Sequence, residues 1–60
     1  MSTPYDILIV EDEPLVQMNY VDILEDAGFN VFTASSLAQG LREVGTRQFH
    51  VIVCDNDLGD

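Results

Sequence analysis

Basic residues are almost missing from this chain. It holds 2 Lys and Arg against 11 Asp and Glu, a formal net charge of −9. That shortage argues against DNA or RNA as a partner, because neutralising phosphates needs a basic patch. It argues equally against docking on anionic lipid. Long hydrophobic runs are missing too. The longest uninterrupted apolar stretches, ILIV and VIVC, are four residues each, far short of the roughly 20 that span a bilayer. The opening MSTPYD places no basic segment ahead of an apolar one, so no secretory signal is visible. A single cysteine, Cys54, permits no internal disulfide and suits a reducing cytoplasm.

What the chain does have is apolar surface. Hydrophobic residues make up 47% of it, too many for an acidic disordered tail. A chain of 60 residues makes one small domain at most, and at this size only ~60% of the unfolded surface is buried. No linker, internal repeat or low-complexity segment divides it.

The apolar pattern alternates in period. DILIV (6–10) is a continuous run rich in β-branched residues, the signature of a strand buried on both faces. Pro14 suits the first turn of a helix. From there Val16, Tyr20, Ile23, Leu24 and Ala27 mark one helical face, and Gly28 stops the helix. NVFTA (30–34) predicts a second strand. Ser36 with Gln39 predicts a capping box for a second helix, whose inner face is Leu37, Gly40, Leu41 and Val44. Gly40 is expected to let that helix approach the sheet closely. FHVIVC (49–54) predicts a third buried strand, with His50 structural and Cys54 a small core hydrophobe.

A β-α-β-α-β order with short links predicts a parallel sheet with right-handed crossovers. The two most apolar strands, first and third, are expected side by side, giving the order 2-1-3 with a switch point between strands 1 and 3. Sites in open α/β sheets lie beyond the carboxyl ends of strands at such points. Strand 1 runs into Glu11, Asp12 and Glu13, and strand 3 runs into Asp55 and Asp57. Two carboxylates ~5 Å apart repel by ~3 kcal/mol at an effective dielectric of ~20. Such a cluster either takes up a proton or holds a cation. Hard oxygens without neighbouring His or Cys suit Mg²⁺, Mn²⁺ or Ca²⁺, and a site with few protein ligands, completed by waters and a phosphoryl oxygen, favours Mg²⁺. The expectation is an acidic Mg²⁺ pocket in which one carboxylate serves as nucleophile. Glu13 reads as a helix cap, since acids stabilise a helix N-terminus by ~0.3–1 kcal/mol.

ILIVEDEPLV, LEDAGFNVFTA and VIVCDNDL, taken together, resemble the first half of a response-regulator receiver domain of two-component signalling. The resemblance covers essentially the whole chain and implies half of a flavodoxin-like receiver fold. It implies that Asp55 is the phosphoacceptor and that Asp12 binds Mg²⁺ directly. Glu11 would support the metal, and Asp57 would offer its backbone carbonyl. The phosphodonor would be a histidine kinase or phosphotransfer protein, and the setting cytoplasmic. Such a domain accepts a phosphoryl group rather than acting as an enzyme. Receivers have two further strands, bearing a Ser or Thr and a Lys that contact the phosphoryl group. Residues 1–60 stop before either, so the chain reads as an N-terminal half with impaired phosphorylation. Receivers also commonly follow the acceptor loop with Pro-Gly, where this chain has Leu58-Gly59-Asp60.

Two other readings compete. DNDLG resembles the Asp-x-Asp motif of haloacid-dehalogenase-type phosphatases, with Asp55 as nucleophile and Asp57 as acid/base. That motif normally follows the first strand, and here a separate acidic group already occupies that place. The other reading is structural: without a fourth strand the edge of strand 3 is bare and apolar, which invites pairing with another chain. A homo-oligomer through that edge is the expectation, with Leu15, Met18 and Val21 left outside the first helix's core face.

Overall fold

A computed structural model describes residues 4–54. Its elements run β1 (Asp6–Val10), α1 (Pro14–Asp26), β2 (Asn30–Ala34), α2 (Leu37–Thr46) and β3 (Val51–Cys54). The strands form one parallel sheet in the order β2-β1-β3. This is the β-α-β-α-β half of a flavodoxin-like receiver fold, with the strand order expected from the apolar runs. The two crossovers leave in opposite directions along the sheet, so right-handed connections put α1 and α2 on opposite faces.

β1 is the centre of the core. Ile7, Leu8, Ile9 and Val10 are all buried, as a parallel strand covered on both faces requires. Side chains of this size stabilise by about 1.5–3 kcal/mol each when fully buried. Strand alternation sorts them. Leu8 and Val10 lie level with Phe32 and Ala34 in β2; Leu8, Val10 and Ala34 form the core cluster, with Phe32 and Phe49 packed against it. Ile7 and Ile9 face the other way, toward α1.

Local chemistry sets the helix ends. α1 stops in a Schellman motif: the Phe29 N–H donates to Leu24 O and the Gly28 N–H to Glu25 O. Gly28 sits at φ +98°, a backbone conformation glycine adopts without a Cβ clash. At the start of α2 the Ser36 Oγ accepts from the Gln39 N–H at 3.1 Å. The Gln39 Oε1 in turn accepts from the Ser35 N–H at 2.8 Å. The capping box expected from Ser36 and Gln39 is therefore present, with its return bond one residue before the cap.

Three expectations about packing need correction. The inward side of α1 is Val16, Gln17, Tyr20, Val21 and Leu24, all half-buried, while Ile23 is 68% exposed and Ala27 is exposed. The face is turned toward Gln17 and Val21, because the Gln17 amide is drawn onto the strand ends. In α2 only Gly40 is buried, and Leu37, Leu41 and Val44 are exposed. The helix meets the sheet at the Gly40 corner over Val10 and Ala34, so its apolar stripe overhangs the sheet. β3 begins at Val51 rather than Phe49, and it is not a buried run: Val51 and Ile52 are 47% and 50% exposed. Among the described residues β3 touches no helix, only β1. Cys54 is accordingly exposed rather than a core residue.

The amino-terminal edge of the sheet is closed by side chains. The His50 Nδ1 accepts from the Asp6 N–H at 3.0 Å, and the imidazole lies 4.8 Å from the Tyr5 ring. His50 is thus structural, as expected. Phe32 and Phe49 meet edge to face at 5.5 Å, and the Arg47 guanidinium sits 4.1 Å above Phe32.

Candidate functional site

The chain leaves β1 through three acids, and each takes a different place. Glu11 continues the strand for one more step, its N–H donating to Ala34 O at 2.9 Å. That bond draws it inward, and its side chain is only 3% exposed. A buried carboxylate is costly unless donors face it. Here the Glu13 backbone N–H donates to the Glu11 Oε2 at 2.9 Å, a charge-assisted bond. The amino-terminal end of α1 adds a favourable field for negative charge. Asp12 lies at the bend and is exposed. Glu13 holds the N-cap position in an extended conformation, but its side chain makes no cap bond. Its contribution is the N–H given to Glu11, so the capping expected of its carboxylate is replaced by support for the neighbouring one.

One residue of this site is absent from any reading of the acids alone. The Gln17 Nε2 donates to Glu11 O at 3.1 Å and to Ala34 O at 3.3 Å. A single side-chain amide thereby joins the carboxyl ends of β1 and β2. The available signal was a polar residue inside the arc of an otherwise apolar helical face, between Val16, Tyr20, Val21 and Leu24.

On the other side of β1, Val10 is the register partner of Cys54. The acidic turn after β1 and the residue preceding Asp55 therefore share one edge of the sheet. Asp55 and Asp57 themselves lie outside the described residues. Among the described residues no group of three His, Cys, Asp or Glu side chains forms a metal-holding cluster. Glu11 and Asp12 are the two of the four expected metal-site residues that the structure describes. Their oxygens are hard donors, one carboxylate buried and the other open to solvent, which fits a magnesium-type ion that keeps part of its water shell.

A parallel sheet in the order 2-1-3 with carboxylates beyond the end of its central strand defines a class, the doubly wound α/β domain with a site at its switch point. The comparisons with known proteins narrow it. The family model for the response regulator receiver domain matches residues 7–60, and the chain belongs to that family. No curated protein and no solved structure matches it. Receiver domains serve two-component signal transduction. They receive phosphate from histidine kinases or phosphotransfer proteins, are generally regulatory rather than enzymatic, and typically bind Mg²⁺. Membership in this family displaces the phosphatase reading of Asp55 and Asp57.

Proposed function

We propose that this chain accepts a phosphoryl group on Asp55 with Mg²⁺ held by Glu11, Asp12, Asp55 and the backbone carbonyl of Asp57. The observation that carries the reading is the pairing of Val10 with Cys54, which joins the Glu11–Asp12 turn and the strand leading to Asp55 along one edge. In this reading an oxygen of the Asp55 carboxylate attacks phosphorus in the phosphohistidine of a kinase or phosphotransfer protein. The P–N bond breaks, the imidazole leaves, and an acyl phosphate forms. A bound divalent ion supplies charge neutralisation at the phosphoryl oxygens. Glu11, held by the Glu13 N–H, contributes a fixed negative charge, and Asp12 contributes a solvent-facing ligand. The cytoplasm is the assigned compartment, in keeping with the single cysteine. No helix among the described residues is long and apolar enough to cross a membrane.

The test is acetyl-phosphate labelling of the 60-residue chain with and without Mg²⁺. Incorporation that is weak, as an impaired acceptor requires, needs Mg²⁺ and disappears in Asp55→Asn is expected. Label persisting in Asp55→Asn would refute the choice of acceptor.

A second reading, association, has its own observation. Val51 and Ile52 are half-exposed on a strand that no described helix covers. Exposed apolar edge strands pair with other chains, and we infer a homo-oligomer formed through β3.

A further inference from the structure

We propose that Gln17 is the positioning residue of the acidic turn: its side-chain amide clasps the ends of β1 and β2 and so sets the direction in which Glu11 and Asp12 are presented. The inference rests on the metal-binding reading above for its functional consequence, but its structural half stands on bonds already described.

The argument starts from an accounting of carbonyls. At the end of a parallel strand the last C=O groups lose their ladder partners, and buried carbonyls need donors. Glu11 O is such a group; Ala34 O, at the end of the neighbouring strand, already accepts from the Glu11 N–H at 2.9 Å and has a second lone pair to offer. Gln17 donates to both, at 3.1 and 3.3 Å. Water could serve either carbonyl singly, but only a group tethered to α1 also ties them to the helix. Gln17 belongs to α1 itself, where its own N–H makes the ordinary first helical bond to Glu13 O at 2.9 Å. Between the two carbonyls that Gln17 holds, those of Glu11 and Glu13, lies only Asp12. The start of the turn is therefore fastened by the Glu11–Ala34 backbone bond together with the Gln17 amide, and its end by the first backbone bond of α1. Within it, the Glu13 N–H meets the Glu11 Oε2 at 2.9 Å.

A polar side chain in the inward arc of a helix normally weakens packing, and an apolar residue such as Leu or Met suits that position better. The bonds to two strand ends are what the amide provides there in place of apolar contact. A carboxylate pair must be held in one geometry before a cation arrives, since ligands oriented by neighbouring hydrogen bonds bind metal more tightly. Gln17 acts on Asp12 and Glu11 through the backbone and does not itself face the cation.

The test compares two variants of the full 60-residue chain. Gln17→Met keeps length and removes the donors. Ser36→Ala removes the cap of α2, far from the turn, and serves as a control for a general loss of stability. Amide hydrogen exchange at Glu13 is the first readout. Loss of the clasp speeds it by about 2- to 10-fold in Gln17→Met, the range of one hydrogen bond's net worth. It leaves Glu13 in Ser36→Ala changed only as much as the core amides of β1. Mn²⁺ titration followed by water relaxation is the second readout, with Gln17→Met weaker than wild type by a similar factor and Ser36→Ala unchanged. Asp12→Asn separates the two claims. If wild type and Asp12→Asn bind Mn²⁺ alike, the metal reading falls, and Glu13 exchange still decides the clasp. Equal behaviour of Gln17→Met and Ser36→Ala at Glu13 overturns the proposal. Should Gln17→Met fail to fold, Gln17→Asn takes its place, with an amide one methylene too short to span both carbonyls and the same expected direction.

Discussion

A carboxylate, an amide and a missing methyl group decide most of what happens at the carboxyl edge of the sheet. Glu11 is buried with the Glu13 N–H and the start of α1 facing it. The missing methyl is at Gly40. A Cβ there would lie 2.9 Å from Val10 Cγ2 and 3.5 Å from Val10 Cγ1, in a core where Val10 is itself fully packed. Overpacking of this kind costs about 1–3 kcal/mol, and alanine's better helix propensity returns about 1 kcal/mol. Gly40→Ala is expected to lower stability by about 1 kcal/mol in urea denaturation, and a stabilised variant would show that α2 can lift away freely. The close approach expected of Gly40 was legible from its place in a helical face beside larger apolar residues. The role of Gln17 was not, because nothing in its type distinguishes an amide bound to strand ends from one in water. Asp55 is a candidate on its sequence position alone, directly after the apolar run Val51–Cys54.

At the scale of elements, turn chemistry is legible in the sequence and packing direction less so. β1 and β2 fall where their apolar runs placed them, and α1 ends at the glycine that predicted its stop. The Schellman turn explains that success. Two carbonyls of the last turn are satisfied only if the next residue takes a positive φ, and Gly28 supplies it. No atom lies within 4 Å of a Cβ built at Gly28, so a substitution there meets backbone strain alone. Gly28→Ala is expected to cost about 1–2 kcal/mol, measured as a shift of the urea midpoint, with Gly28→Asn milder. The helical faces were harder. The apolar spacing puts Ile23 inside and Val21 outside, because hydrophobicity alone orients a helix only to within a residue or so. The tether of Gln17 supplied the remaining rotation. The stripe Leu37, Leu41 and Val44 has a clear helical period, yet period shows which residues share a side and not how much of that side the sheet can cover.

For the whole molecule, the imbalance lies between the covered and uncovered parts of the sheet. β1 is buried on both faces, and β3 has neither helix nor outer neighbour among the described residues. Sedimentation of the 60-residue chain is expected to show a dimer or larger species. Ile52→Lys, placing charge on the bare strand, should shift it toward monomer by the usual means of protecting an edge. A wild-type monomer that stays folded at all concentrations would contradict the association. The strand order behind that prediction was legible because only the first and third runs are wholly apolar. The extent of exposure was not, since a run of valine and isoleucine looks the same whether its covering helix is present or absent. One further effect follows from the central place of β1. The outer strands are not paired with each other, and a displacement at Cys54 passes into β1 at its register partner Val10. Gly40 rests on that same valine, which makes it the junction where a pull on one border of the sheet becomes a tilt of the second helix.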